Sequence, residues 1–394
     1  MRPPDKSKSF GPLAWTNPRL RSLVYQLGAI AATVAIFTFF ALTARANLER
    51  QHIASGFGFM NNTAGFGVIQ TLIPYSEESS YGRVFLVGLA NTLLVAVIGT
   101  VFAVALGFVI GVARLSGNWL VSKLAAVYVE TFRNIPLLLQ LFFWYFAILR
   151  PLPAPRDSIV LLPDVFLSNR GVALPAFHPT DATSLFLIVL VATIAGVIAL
   201  RRWARKRRLA TGQSFPDGRV SLGLLIGLPL LVCLAFGAPA HLEPPVMGKF
   251  NFDGGWRLLP EFVALTFGLV VYTAAFIAEI VRSGILSVSK GQTEAAHAIG
   301  LNNAQTLRLV IIPQALRVIV PPLTSQILNL TKNSSLAVAI AYPDLVSIFA
   351  GTVLNQTGQA IEVIALTMAV YLVISLATSF AMNTYNARVA IVER

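Results

Sequence analysis

Cysteine is nearly absent from this chain. Its 394 residues contain one, Cys233, inside an apolar segment, which excludes an internal disulfide and a cysteine metal site. Histidine is scarce too: His52, His178, His241 and His297 are scattered, and no pair has metal-ligand spacing. The chain has no G-x-x-x-x-G-K-[ST], so any ATP hydrolysis coupled to it belongs to another chain. H-E-x-x-H, G-x-S-x-G and paired intramembrane aspartates are also missing, which argues against an intramembrane enzyme. Charge of either sign is sparse, at 12% of residues, whereas soluble domains carry near a quarter.

Hydrophobic residues make up 56%, and they are gathered into long runs. Spanning a bilayer takes about 20 apolar residues at 1.5 Å each. About eight segments qualify, starting near Val24, Val84, Leu124, Leu185, Leu222, Leu258, Val318 and Ala360. The expected fold is therefore an all-α polytopic membrane bundle. The net charge of +13 could suggest nucleic acid. The basic residues, however, sit between the apolar runs and are not interleaved with stacking aromatics, so no nucleic-acid partner is expected.

The first run, Val24 to Ala44, follows Arg2, Lys6, Lys8, Arg19 and Arg21, and Ala44-Arg45-Ala46 resembles a signal-peptidase site. The run is long for a signal peptide, and a retained anchor is favoured over a cleaved one. With a cytoplasmic N-terminus, about 20 Lys and Arg fall in or beside cytoplasmic segments and about 8 in external ones, so both termini are expected inside. In the second run Gly99, Ala103, Gly107 and Gly111 recur every four residues, the small-residue stripe that lets another helix approach closely.

The most polar stretch in the second half runs from Ser289 to Pro322. Ser289 with Gln292, and Asn302 with Gln305, each read as an N-cap with a residue three places on that can reach back, giving two short helices broken at Gly300. On the second helix Gly300, Ala304, Leu307 and Ile311 form an apolar side, and Pro313 is expected to end it.

Glu294, Ala295, Ala296, Gly300 and Pro313 stand at the spacing of the cytoplasmic EAA loop of bacterial ABC importer permeases, and the chain resembles that family. The last part reads Val310-Ile311-Ile312-Pro313 where the family has I-x-L-P. Two further strings are similar to the polar-amino-acid branch. They are Glu130-Thr131-Phe132-Arg133-Asn134-Ile135-Pro136-Leu137-Leu138-Leu139-Gln140, where Pro136 allows a kink, and Tyr272 through Ala278-Glu279-Ile280-Val281-Arg282-Ser283-Gly284. Asn329-Leu330-Thr331-Lys332-Asn333-Ser334-Ser335-Leu336 resembles the family's L-K-x-S-S-L segment.

The resemblance implies a type I importer permease core of about five helices, with one leading and two inserted helices. It implies alternating access in the bacterial inner membrane, with a loop that docks on a dimer of ATPase subunits. It also implies a second, related permease subunit and a periplasmic binding protein that delivers polar or broad-range L-amino acids. ATP is used by the partner, and no cofactor is expected on this chain. Candidate pathway residues are Glu130, Arg133, Tyr272, Glu279, Asn329, Lys332, Asn333, Ser334 and Ser335; a structural role, as boundary ion pairs or a snorkelling lysine, is the competing reading for the charged ones.

The expected division is an anchor and external loop over 1–83, a first core part over 84–150, an insert with two extra spans over 151–255, and a second core part over 256–394 that carries the loop 289–322. The architecture is similar to enlarged general L-amino acid permeases. Within the insert, Arg201-Arg202-Trp203-Ala204-Arg205-Lys206-Arg207-Arg208 reads as a topology signal with attraction to anionic membrane lipids. An ion-coupled secondary transporter is the alternative, but it would call for midplane carboxylates and often an internal repeat.

Overall fold

Among the described residues, seven helices are long and apolar enough to cross a membrane, or up to eight when one bent pair is counted as a span. The computed structural model describes residues 18–50, 55–213 and 215–389. Arg2, Lys6 and Lys8, and the C-terminal residues 390–394, on which the placement of the termini partly rests, lie outside the described residues.

The leading helix α1 spans Pro18–Arg50. Helix α2, Tyr81–Ala113, starts from Ser80, whose hydroxyl accepts the Arg83 N–H, an N-cap the sequence permits. Its small-residue stripe meets α7, Pro260–Leu286, so closely that a Cβ on Gly107 would stand 2.6 Å from the Ile277 Cβ. One on Gly111 would stand 2.7 Å from the Ala278 carbonyl. That proximity is the backbone approach small residues allow in place of hydrophobic drive between helices. Around α7 lies the main core, with Leu265, Leu269, Ile277, Val281, Ile319, Leu323 and Leu330 all buried.

The third apolar run is broken. Helix α3, Trp119–Asn134, and the segment from α4, Leu137–Phe142, to Leu149 meet at 106°, a bend far larger than the proline kink expected at Pro136. Proline removes an N–H and forces Ile135 into extended backbone at ψ 128°. Gln140 then covers the freed carbonyls, its side-chain N–H groups donating to Phe132 O at 3.0 Å and Ile135 O at 2.9 Å.

Residues 151–259 depart from an all-α expectation. They are nested pairings: β3 (Gly171–Leu174) with β8 (Trp256–Leu258), β4 (Ala176–Pro179) with β5 (Ala240–Glu243), then helix α5 (Ala182–Thr211) with α6 (Asp217–Phe236). Strands β1 (Ile159–Leu162) and β2 (Val165–Ser168) extend the first sheet, and β6 (Val246–Met247) pairs with β7 (Phe252–Asp253). The strands have two to four residues each, too short for alternation to stand out in a sequence window. The nesting makes the insert one long hairpin whose two ends return side by side to the core. His178 and His241, scattered in sequence, face each other across β4 and β5 with rings 5.5 Å apart, and His178 Nε2 lies 2.5 Å from Glu243.

At the end of the bundle where α2 and α7 begin, residues 57–81 close over the turn that follows Ile340. The Asn91 amide donates to Gln70 O and to Pro343 O, at 3.0 and 2.8 Å. Asp344, fully buried in that turn, caps the following helical segment by accepting the Ser347 N–H at 2.8 Å, and Tyr371 donates to its other oxygen at 3.3 Å. Burial pushes the Asp344 carboxyl up to about 7 from 3.8. The folded chain thus holds this proton more tightly than the unfolded one. Its contribution to stability is present in acid and is lost as pH rises from about 4 through about 7. Asp344→Asn keeps an acceptor for the cap without the charge. In detergent, the thermal midpoint of the wild type relative to this variant should fall between pH 5 and pH 8; parallel pH curves would contradict the assignment.

Candidate functional site

The polar loop after α7 folds as two short helices. Helix α8, Lys290–Ala298, ends in a Schellman turn: the Leu301 N–H donates to Ala296 O at 3.1 Å and the Gly300 N–H to His297 O at 2.9 Å. This places Gly300 at φ +84°, a left-handed backbone that glycine adopts without steric cost. Helix α9, Asn303–Thr306, opens with a full capping box, the Gln305 N–H donating to Asn302 Oδ1 at 2.9 Å and the Asn302 N–H to Gln305 Oε1 at 3.0 Å. The expected box at Ser289 does not form: its side chain makes no cap, and only its carbonyl accepts from Gln292.

Pro313 does not end the helix as expected. Residues 307–311 widen into a π-helical turn, and α10, Ile312–Asn333, follows with Pro313 in its first turn, where the missing N–H is not needed. The helical run thus continues from Asn303 to Ile340. The apolar side expected to be buried is also different. Ala296 and Thr306 are buried, while Leu307 is 45% exposed, Leu309 61% and Ile299 77%. Glu294 and Ala295 are exposed, and among the described residues Glu294 has no ion-pair partner. Gln314 ties the two helices by donating to Gln292 at 3.2 Å. The loop is a firm hairpin that presents apolar side chains and one carboxylate to the outside.

Two turns of α7 before the loop, Glu279 is held by two arginines. Arg282 donates to it at 2.7 Å, and Arg114, at the end of α2, closes the other side. The i, i+3 pair with Arg282 was readable from spacing; Arg114 was not, because nothing in its own stretch marks it. Glu130 and Arg133 form no ion pair with each other, although they share a motif. Both are exposed on α3. Arg133 instead lies over the Phe276 ring at 5.3 Å, and Tyr272 packs on the same ring at 5.0 Å. Glu130 contributes only its carbonyl, which accepts from Asn134.

At the far end of α10, Lys332 and Ser335 open into a cleft of about 490 Å³ shared with Thr367, Tyr371 and Ser375 of α12, Ala360–Val389. Asn329 is exposed one turn earlier and Asn333 is half-buried, while Ser334 turns inward and donates to Thr331 O at 2.7 Å. The structure brings Lys332 and Ser335 together in one cleft, whose lining includes neither Glu279 nor Arg133. Tyr371, which also holds Asp344, belongs to this cleft, yet nothing around it in the sequence points there.

A family model described as binding-protein-dependent transport system inner membrane component matches residues 219–391. YhdX of Escherichia coli, named as an amino-acid ABC transporter permease protein, is 54% identical over 389 residues, 99% of each chain. AapQ of Rhizobium johnstonii, a general L-amino acid transport system permease protein, is 50% identical over 97% of this chain and 95% of its own. BztB of Rhodobacter capsulatus, a glutamate/glutamine/aspartate/asparagine transport system permease protein, is 42% identical over 96% of each. This coverage takes in the leading helix and the nested insert along with the rest of the chain.

Proposed function

This chain belongs to the family of binding-protein-dependent transport system inner membrane components, and we propose that it works through the loop around Gly300 as a lever for a separate ATPase. It is a multi-span inner-membrane permease of an amino-acid ABC importer. Its partners include an ATPase and a substrate-binding protein. The finer reading adds a second, related permease subunit, ATP bound only by the ATPase dimer, and both termini in the cytoplasm. Within it, residues 84–150 and 256–394 form the core, and 1–83 and 151–255 are additions.

One observation carries the lever reading: a hairpin fixed by a Schellman turn and a capping box leaves Ile299, Leu307, Leu309 and Glu294 exposed among the described residues. Rigid, apolar and exposed is what a docking element needs, since little ordering entropy remains to be lost on binding. Movement of the hairpin passes directly into α7 and α10, the two helices it joins. Because α7 is clamped to α2 through Glu279 and Arg114, the three move as a unit. A carboxylate held by two arginines is poorly suited to cycling a proton, which weighs against an ion-coupled transporter.

Uptake into membrane vesicles separates the two mechanisms. Transport should stop on ATP depletion and persist with an ionophore at constant ATP; the reverse pattern overturns the ATP-driven reading.

For the substrate path we place the Lys332 cleft first, because a cation beside Ser335, Tyr371 and Thr367 offers donors for a carboxylate. Lys332→Met should lower the transport rate or apparent affinity severalfold while leaving ATPase association intact. Unchanged rate and affinity would reduce Lys332 to a side chain reaching for the interface. The related permeases carry amino acids of broad range or acidic and amide type, and broad-range L-amino acids are proposed for this chain.

A further inference from the structure

Helix α5 is longer than a membrane requires. Its 30 residues extend about 45 Å, whereas the hydrocarbon layer is about 30 Å thick. With the entry at Ala182 beside β4, the last ten or so residues stand beyond the hydrocarbon. These are the residues from Arg201 to Thr211. Because β4 leads into α5 and β8 into α7, both helices start from the strand platform, and an α5 that crosses the bilayer emerges on the side that carries the Gly300 hairpin.

The extension is sorted by face. Thr193, Val197 and Ala204, spaced by four and seven, are buried, as are Ser221, Pro229 and Val232 of the partner helix α6. Arg207 and Arg208 are used in the turn to α6: Arg207 lies over Trp203 at 5.4 Å and donates to Gln213, and Arg208 pairs with Asp217 at 3.7 Å. Trp203 also packs on Phe215 at 5.5 Å. Arg201, Arg202, Arg205 and Lys206 lie on the other arc of the helix. All four are exposed, and among the described residues none has an acidic partner. Leu209, 80% exposed, sits in their midst.

We propose that this arc is a binding site for the phosphate groups of anionic phospholipid in the headgroup layer of the inner leaflet. Depth, charge and composition agree on that occupant. The headgroup layer is about 5 to 8 Å thick on each side, about one helical turn, and Arg201, Arg202, Arg205 and Lys206 fall within or next to the first turn past the hydrocarbon. Guanidinium groups form paired hydrogen bonds to phosphate oxygens, and a tryptophan at the same level is typical of the interface. The site would fix the depth of a hairpin that packs mainly on itself. Its placement in the inner leaflet rests on the orientation proposed above, whereas lipid retention is measured independently of it.

The test is native mass spectrometry of purified protein taken from nanodiscs of phosphatidylcholine and phosphatidylglycerol. Each basic residue at an anionic surface contributes a factor of about five in affinity. Arg205→Gln with Lys206→Gln, which leaves the other basic residues to set orientation, should therefore lower phosphatidylglycerol retention about tenfold or more. Arg207→Gln with Arg208→Gln should lower it far less. Equal loss in both pairs would mean diffuse net charge and overturn the site, as would equal retention of the two lipids by the wild type. Displacement by excess inorganic phosphate would reassign the arc to a soluble anion. Loss of ATPase co-purification with lipid retention unchanged would reassign it to protein; either result overturns the proposal.

Discussion

Reversing Glu294 to lysine or replacing Gly300 with alanine should abolish ATP-driven uptake while the protein still inserts and accumulates in the membrane. The two substitutions act differently. Gly300 has φ +84° and open space where a Cβ would be, so alanine there meets no clash; its cost is purely conformational, about 1–2 kcal/mol for an L-residue held left-handed. That is enough to favour another exit from α8 and to swing α9 away by populations of roughly tenfold. Glu294 leaves the fold untouched, since it has no partner here, and changes only what the hairpin presents. ATPase co-purification should drop with Glu294→Lys and uptake should be lost in both. Normal uptake by both variants would remove the lever from the account.

Adding one methyl group at Gly107 or Gly111 should destabilise the fold far more than the same change at a glycine in open space. An alanine Cβ would lie 2.6 Å from Ile277 Cβ at the first site and 2.7 Å from the Ala278 carbonyl at the second. Neither neighbour can yield by rotating a side-chain tip, so α2 and α7 must separate. Overpacking of this kind costs about 1–3 kcal/mol, and here it also strains the Arg114 to Glu279 clamp one turn away. Gly196→Ala on α5, where nothing lies within 4 Å, is the control. Thermal melting in detergent should drop for Gly107→Ala and Gly111→Ala and stay level or rise for Gly196→Ala. A uniform response at all three would mean that the stripe is not a packing face.

What could be read from residues alone divides along physical lines. The spans were legible because hydrocarbon imposes length and apolarity together, and the hairpin because caps and a helix-ending glycine are local devices written in adjacent residues. Gly300 was recognised by spacing, and the Schellman turn supplies the reason for it. Pro313 was misread because a proline stop was assumed, whereas a π-helical turn can relieve the ring without ending the helix. The bend at Pro136 was expected as a kink, and its size became clear only with Gln140 capping the carbonyls from 5 and 8 residues away.

The side-chain site was less legible, for the reason that its members come from distant segments. Arg114 reaches Glu279 across 165 residues, and the turn with Asp344 is closed by contacts from Asn91, Gln70 and Tyr371. Motif partners in sequence, Glu130 and Arg133, turned to different neighbours because helical spacing brings side chains near without deciding what else competes for them. The short strands between residues 151 and 259 escaped notice for want of length, although their nested pairing brings the two ends of that stretch side by side.

The central claim is that the hairpin around Gly300 lies in the cytoplasm, within reach of the ATPase. Asn303→Cys in a Cys233→Ser background gives a single thiol at the start of α9, in the exposed part of the hairpin. A membrane-impermeant maleimide should label it in inverted inner-membrane vesicles and leave it unlabelled in intact spheroplasts, with labelling blocked when the ATPase is bound. Labelling from the periplasmic side of spheroplasts would put the hairpin on the wrong face of the membrane and contradict the account.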